Sequence, residues 1–499
     1  MGSGKIGVIG AGPGGLACAM ILAHRGFDVT VFEKENQIGG RNAPIKIGDF
    51  QFDTGPTFLN MKFVLDDVFN LCERSSSDYI KFKQIDPMYL LSFAGKDVEI
   101  SSNRDEMRKQ IQSIFPSDVE GLDRFFRIEK KRYEKILPNL RRHFSSFLSF
   151  LSPDAIKALP YVFARGSIYD NLSRYFSEDQ LRICFTFQSK YLGMSPWECP
   201  AAFTMISYIE HEFGIYHTIG GLNSIAQAMA KVVLEEGGRV ETGQRVQELD
   251  ISGSRVNGIK LENGKTESFN EVVVNSDFAY SVTNLVPEGK LRKYSPKNIA
   301  KKKFSCSTFM LYLGLDKKYS DPHHHIVFAD DYKSNISDIG DGRLSEDFSF
   351  YVQNASITDD TLAPSGKSAV YILVPVPNNF SNIDWEEEKI NFRHKVLACV
   401  EKRTGMEDLT NHIEVEKMIT PIDWDNAYNV YKGATFNLAH NIDQMLYFRP
   451  HNRFEELDRC YLVGGGTHPG SGLPTIYLSS IISAGLISKK YKGKEVSSS

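Results

Sequence analysis

Residues 5–41 read KIGVIGAGPGGLACAMILAHRGFDVTVFEKENQIGGR, and no other stretch restricts the fold as tightly. An apolar run at 6–9 enters Gly10-Ala11-Gly12-Pro13-Gly14-Gly15, after which Leu16, Ala19, Met20, Leu22 and Ala23 recur at helical spacing. A β-rich run at 28–32 ends in Glu33, about twenty residues past the glycines, where a dinucleotide-binding βαβ unit places the acid that holds a ribose hydroxyl. Each glycine has its own reason. Gly10 permits the turn, Gly12 has no Cβ to fend a pyrophosphate off the backbone, and Gly15 lets the helix lie close on the strand. The phosphates then rest at the helix N-terminus, where free N–H groups and the dipole favour an anion.

A second turn follows, Gly39-Gly40-Arg41, and then Phe52-Asp53-Thr54-Gly55-Pro56-Thr57. A nicotinamide domain has no need of it. The pattern resembles the FAD-dependent oxidoreductases that include amine oxidases, protoporphyrinogen oxidases and carotenoid desaturases. That resemblance implies that the GGR segment runs along the diphosphate, with the Arg41 guanidinium balancing phosphate charge.

A chain of 499 residues exceeds the size at which a single core stops growing, so more than one domain is expected. Its formal charge of −4 lacks the basic footprint of a nucleic-acid binder, and nucleic acid is excluded as a partner. The seven cysteines are scattered without CxxC spacing, which implies neither a disulfide framework nor a zinc site and fits a reducing compartment. Neither a signal peptide nor a bilayer-spanning apolar run is read, so a cytoplasmic or peripheral protein is expected.

Helices are expected at 63–72, 224–236 and 386–403, and strands at 88–100 around Ala94-Gly95-Lys96, at 239–251, 256–261 and 269–274, and at 307–315, 348–353 and 369–375. Residues 121–165 differ in character. Ten basic residues (Arg124, Arg127, Lys130, Lys131, Arg132, Lys135, Arg141, Arg142, Lys157, Arg165) stand against four acids (Asp123, Glu129, Glu134, Asp154), interleaved with Phe144, Phe147, Leu148, Phe150, Leu151, Ile156 and Phe163. Two readings stay open: helices seated in a membrane interface, with Lys and Arg toward anionic headgroups, or a helical insertion with a solvated basic side. The triplet His323-His324-His325 reads as surface loop and not as a metal site.

Toward the far end, a strand at 459–463 runs into GGGTHPGSGLPT, residues 464–475, followed by an apolar helix at 475–487. With the N-terminal fingerprint and the GGR segment, this is similar to carotenoid desaturases of the bacterial and fungal phytoene desaturase type. Residues 328–332 and 342–345 are most similar to the dehydrosqualene (4,4'-diapophytoene) desaturases within that group. The resemblance implies an α/β fold: a Rossmann-like, amine-oxidase-like FAD domain formed by 1–85, 215–285 and 425–499. An inserted α+β substrate domain, 86–214 and 286–424, carries 121–165 as candidate membrane-interface helices.

The same resemblance implies FAD held by Gly10, Gly12, Gly15, Glu33, Gly39, Gly40, Arg41, Gly55, Pro56, Thr57, Val246, Gly466, Thr467, Leu473 and Pro474. It implies a long linear C30 or C40 isoprenoid as substrate, and quinone or oxygen as terminal acceptor. The location implied is the cytoplasmic face of a membrane. A hydrocarbon has no carbonyl to acidify its C–H bonds, so hydride departure to flavin N5 precedes proton loss, with Glu210 and His468 as candidate bases. A carotenoid oxygenase or isomerase of this type, or a non-catalytic prenyl-binding protein of the same fold, are the alternatives.

Overall fold

The computed structural model describes residues 4–93 and 95–497, so Ala94 of the expected strand pair lies outside the described residues. Its centre is a parallel sheet of five short strands in the order Arg239–Glu241, Asp28–Phe32, Lys5–Ile9, Glu271–Val274 and Cys460–Leu462. Val8, Val29, Val31, Val272 and Val273 are fully buried, as befits strands covered on both faces. The helix Pro13–His24 crosses one face, and the helices Asn223–Glu235 and Leu473–Ser497 pack beside it. The expected strand at 239–251 divides. Arg239–Glu241 stays in the parallel sheet, and Val246–Ser252 leaves it to pair antiparallel with Arg255–Leu261. At the break, the Gln244 and Gly243 amides donate to the carbonyls of Glu33 and Glu35, which brings Val246 beside the first βαβ unit.

A seven-stranded mixed sheet takes the order Ile413–Ile419, Ser307–Leu315, Ser368–Val376, Phe350–Asn354, His324–Val327, Tyr89–Phe93 and Lys96–Ile100. Only the His324–Val327 and Tyr89–Phe93 pair runs parallel. Every residue of Ser307–Leu315 is buried, and Trp385–Arg403 covers one side through Phe309, Trp385 and Phe392. Here the histidine triplet departs from the expected surface loop. His323, His324 and His325 are buried, and the last two lie inside the sheet. Each ring finds a polar partner: Thr358 Oγ1 for His323, Tyr351 Oη for His324 and Ser92 Oγ for His325.

A helical layer includes Arg104–Ile114, Val119–Leu140, Pro153–Val162 and Met205–Phe213. Val119–Leu140 is not a membrane helix along its length. It buries Leu122, Phe125, Phe126, Tyr133 and Ile136, and with them Glu129 and Arg132, paired at 2.9 Å. Arg132 also donates to Ala201 O and Asn171 Oδ1, so this guanidinium belongs to the interior. Beyond it the picture changes: Leu148, Leu151, Ile156 and Phe163 are 70, 63, 51 and 42 % exposed, Lys157 and Arg165 of the same segment are exposed too, and Arg141 and Arg142 pair with Asp67 and Asp154. Phe144 turns inward onto His468 and Phe150. Among the described residues no helix is long and apolar enough to cross a membrane.

Candidate functional site

The glycine turn between Lys5–Ile9 and Pro13–His24 opens a cavity of about 1530 Å³. Gly10 takes φ +96°, and Gly12 is the helix N-cap with no side chain capping the free N–H groups behind it. A Cβ at Gly15 would overlap the Gly10 carbonyl oxygen, so this glycine serves the helix-to-strand approach and does not itself line the cavity. The side chain of Asn275, at the end of Glu271–Val274, sits against Gly10, Gly12, Gly14 and Gly15 and donates to Gly10 O at 3.0 Å. Nothing in the local sequence singles Asn275 out, because its role arises only when the two strands pair.

Glu33 is 5 % exposed and lines the cavity, its Oε2 accepting from the Ala11 amide at 2.9 Å and Oε1 from the Glu35 amide. Burial raises its pKa above the ordinary value, and those two N–H donors oppose the shift. Arg41 also lines the cavity. Its Nη1 donates to Thr435 O at 2.6 Å, and burial lowers its pKa against the pull of the Asp277 carboxylate. Gly40, Gly55, Pro56, Thr57, Val246, Leu473 and Pro474 stand in the same wall.

Besides Gly15, three residues of the expected cofactor set lie outside the lining. Gly39, at φ +119°, packs on Ala43 and Asn223 and shapes the turn from behind. Gly466 lies against Phe278, and Thr467 donates its hydroxyl to Pro450 O, both outside the lining.

A partner surface that sequence reasoning missed runs through the irregular segment 434–441. Thr435 Oγ1, both amide atoms of Asn437 and His440 Nδ1 are buried without hydrogen-bond partners, and all three residues line the cavity, Asn437 packed against Gly465. Buried polar atoms left this way are rare, and each calls for a ligand or an ordered water. Together with an uncapped helix N-terminus, a cavity-facing carboxylate and a guanidinium, they fit a dinucleotide carrying a polar ring. Arg41 and the Gly10 to Gly14 turn would hold its diphosphate, Glu33 its ribose, and Thr57 and the 435–440 segment its ring.

The two candidate bases are also displaced. Glu210, on Met205–Phe213, is wholly buried one layer behind the cavity, its Oε2 accepting from Tyr89 Oη at 2.9 Å and Gln188 Nε2 at 3.0 Å. Tyr89 and Tyr191 stand between it and the cavity space. Burial pushes its carboxyl up to about 7, against the hydrogen bonds it accepts from Gln188, Tyr89 and Tyr191. His468 does not line the cavity either. Its Nε2 meets Arg142 O at 2.9 Å, its ring packs on Phe144, and burial lowers its pKa to about 3, so it is a neutral brace between the C-terminal turn and the helical layer.

Besides His440, a second histidine lines the cavity, His324. Its Nδ1 lies 2.6 Å from Tyr351 Oη, which itself donates to Thr57 Oγ1 at 2.9 Å. With that hydroxyl proton committed to Thr57, the ring N–H belongs on Nδ1, an assignment from hydrogen-bond order. Nε2 is left with its lone pair, buried and unpartnered. Burial lowers the His324 pKa to about 3, so the imidazole is neutral.

The residues 13–488 match a family model described as flavin containing amine oxidoreductase, and the chain belongs to that family. It is an FAD-dependent oxidoreductase. Among its relatives, the 4,4'-diapophytoene desaturase (4,4'-diapolycopene-forming) of Methylomonas sp is 54 % identical over 97 % of this chain and 95 % of that protein. The zeta-carotene-forming phytoene desaturase of Myxococcus xanthus is 36 % identical over 95 and 92 % of the two chains. The 4,4'-diaponeurosporene-forming 4,4'-diapophytoene desaturase of Staphylococcus aureus strain Newman is 33 % identical over 96 and 97 %. Two solved structures share the fold. An oxidoreductase from Methanosarcina mazei has a TM-score of 0.64 at 17 % identity, covering 96 and 99 %. Putrescine oxidase bound to putrescine has 0.63 at 12 %, covering 98 and 99 %.

Gly12→Val is expected to abolish FAD retention, because its methyl groups would enter the phosphate cradle. Flavin absorbance per mole of purified folded protein measures it, and wild-type stoichiometry would refute it. Glu210 governs a pH effect. Its carboxyl titrates near 4.5 when unfolded and about 7 when folded, so stability falls as pH rises between those values and levels off above them. Glu210→Gln is expected to flatten that window by roughly 3 kcal/mol in urea unfolding, and an unchanged pH slope would count against the buried carboxyl as its source.

Proposed function

We propose that this enzyme is a carotenoid desaturase that introduces conjugated double bonds into a linear C30 isoprenoid of the 4,4'-diapophytoene type. The observation that carries this reading is the continuity of one cavity. The glycine cradle and the apolar side chains of Phe187, Ile206, Ile209, Ile326, Phe350, Ile136, Leu140 and Val162 line the same space. A hydrophobic tube suits an extended hydrocarbon, which offers nothing for hydrogen bonding. The 54 % identity over nearly the whole chain to a 4,4'-diapophytoene desaturase favours C30 over C40.

The bound flavin supplies two-electron oxidation of an allylic C–H bond. The remaining tasks fall to the chain. The tube aligns the polyene and keeps water from the cationic carbon skeleton, while the Tyr89, Phe187 and Tyr191 rings in its wall offer π faces that attract positive charge. A proton next to such a cation is very acidic, so its acceptor needs a free lone pair and no high pKa. We assign that role to His324 Nε2, with Tyr351 and Thr57 holding the ring in the required tautomer. Glu210 acts at one remove by fixing Tyr89.

We extend the proposal to the protein's location. Val162, Met445 and Leu446 line the cavity and also adjoin Phe163, Ile442 and Phe448 on the exterior. With Leu148, Leu151 and Ile156 exposed nearby and cations between them, this face supports docking on a membrane at the tube's mouth, where a lipophilic substrate enters. A quinone of the same bilayer, or oxygen, would reoxidise the flavin.

Cells supplied with 4,4'-diapophytoene are expected to accumulate coloured conjugated C30 products when they express this chain. Unchanged pigment with either C30 or C40 precursor would defeat the reading. His324→Leu is expected to lower kcat at least tenfold with FAD content and KM nearly unchanged, and a retained kcat would move the proton elsewhere. Replacing Leu148, Leu151 and Ile156 together by Glu is expected to release the folded protein from anionic liposomes, and undiminished co-sedimentation would remove the docking proposal.

A further inference from the structure

Desaturation of a hydrocarbon gives no task to a buried amine in the cavity wall. Lys190, in the 3-10 segment Phe187–Leu192, lines the cavity, and its ammonium lies over the rings of Phe328 and Tyr332 at 5.0 and 5.1 Å. Among the described residues no carboxylate pairs with it. The nearby Cys306 thiol is pushed by burial up to about 12, so it brings no counter-charge. Burial also lowers the Lys190 amine to about 7, so much of it is uncharged near neutral pH.

The position has a relation to the reacting centre. His324 and Ile326 face the cavity from one strand, and Phe328, under the Lys190 amine, follows in extended chain with its N–H on Ser92 O. Four residues at ~3.3 Å each put Phe328 roughly 13 Å along the strand direction from His324. A linear polyene oxidised at an inner bond therefore reaches Lys190 with a more terminal part of its chain. An ammonium there would oppose a polyenyl cation, whereas a free amine does not, and a free amine is a nucleophile.

We propose that Lys190 is a binding site for long-chain conjugated aldehydes, captured as a Schiff base. The amine nitrogen attacks the terminal carbonyl carbon, the carbinolamine loses water, and R–CHO plus Lys–NH2 becomes R–CH=N–Lys plus H2O, with no change of oxidation level. The aromatic faces of Phe328 and Tyr332 favour the protonated imine as they do the ammonium. An oxygenated polyene of the substrate's own shape would then occupy the tube and compete with the hydrocarbon. The inference rests on the reading of the cavity as a polyene site.

The test uses the full-length FAD-loaded protein with all-trans-retinal as the probe polyenal, sodium cyanoborohydride as trap and peptide mass mapping as readout. Labelling of Lys190 is expected to exceed that of any other lysine at least tenfold. Lys190→Arg, which keeps a cation but cannot form an imine, is expected to lose that label, while Lys333→Met keeps it. Labelling spread over surface lysines, or equal in Lys190→Arg, overturns the site, and so does binding of the aldehyde without a trapped adduct. Turnover of 4,4'-diapophytoene by the same preparation reports separately on the desaturase reading: turnover without trapping removes this inference alone, and trapping without turnover leaves the aldehyde site standing while the desaturase reading falls.

Discussion

The contact on which the rest of the molecule depends is the packing of the helix Leu473–Ser497 against Pro13–His24. The Ser480 hydroxyl donates to the Gly14 carbonyl at 2.8 Å across 466 residues of sequence, and Ile476 takes the space that a Cβ on Gly14 would claim. Ser479 Oγ accepts from the Gly464 amide and Ser483 donates to Leu462 O, so the same helix holds the C-terminal glycine turn and its strand. Small residues make this approach possible. A larger side chain at Gly14 or Ser480 would part the two helices and open the cradle between them.

From that junction the chemistry is organised by depth. The charged and hydrogen-bonding groups, Glu33, Arg41, Asn437 and His440, gather at the end of the cavity where the strands of the parallel sheet finish. The seven-stranded sheet and the helical layer supply the apolar remainder. The boundary between polar and apolar is the Thr57, Tyr351 and His324 chain of hydrogen bonds, which belongs to both sheets' surroundings and puts a basic nitrogen where neither alone would.

The legible parts of the fold were those written locally. Gly10, Gly12, Gly15 and Glu33 stand within one βαβ unit, and the apolar run at 307–315 is a strand over those same residues. Gly10, Gly12 and Gly15 could be read from their own chemistry, whereas Thr57 and the later glycines came only with the family resemblance. What stayed hidden is non-local. Asn275 matters only because Glu271–Val274 pairs with Lys5–Ile9, and the histidine triplet is interior only because His325 meets Ser92, 233 residues away, across a parallel strand pair. Glu210 lies near the flavin turn in sequence, yet its helix points the carboxylate behind Tyr89. The basic composition of 121–165 blurred two environments, a buried Glu129 and Arg132 pair and an exposed apolar face farther along.

The order of strands across the parallel sheet carries a consequence for biosynthesis. Cys460–Leu462 fills the edge beside Glu271–Val274, and the Gly464 turn closes one wall of the nucleotide cradle. A ribosome that has released only the first βαβ unit has therefore produced half a clasp. The flavin can be captured only after nearly all of the polypeptide has emerged, and until then the apolar walls of the cavity face solvent without their counterparts.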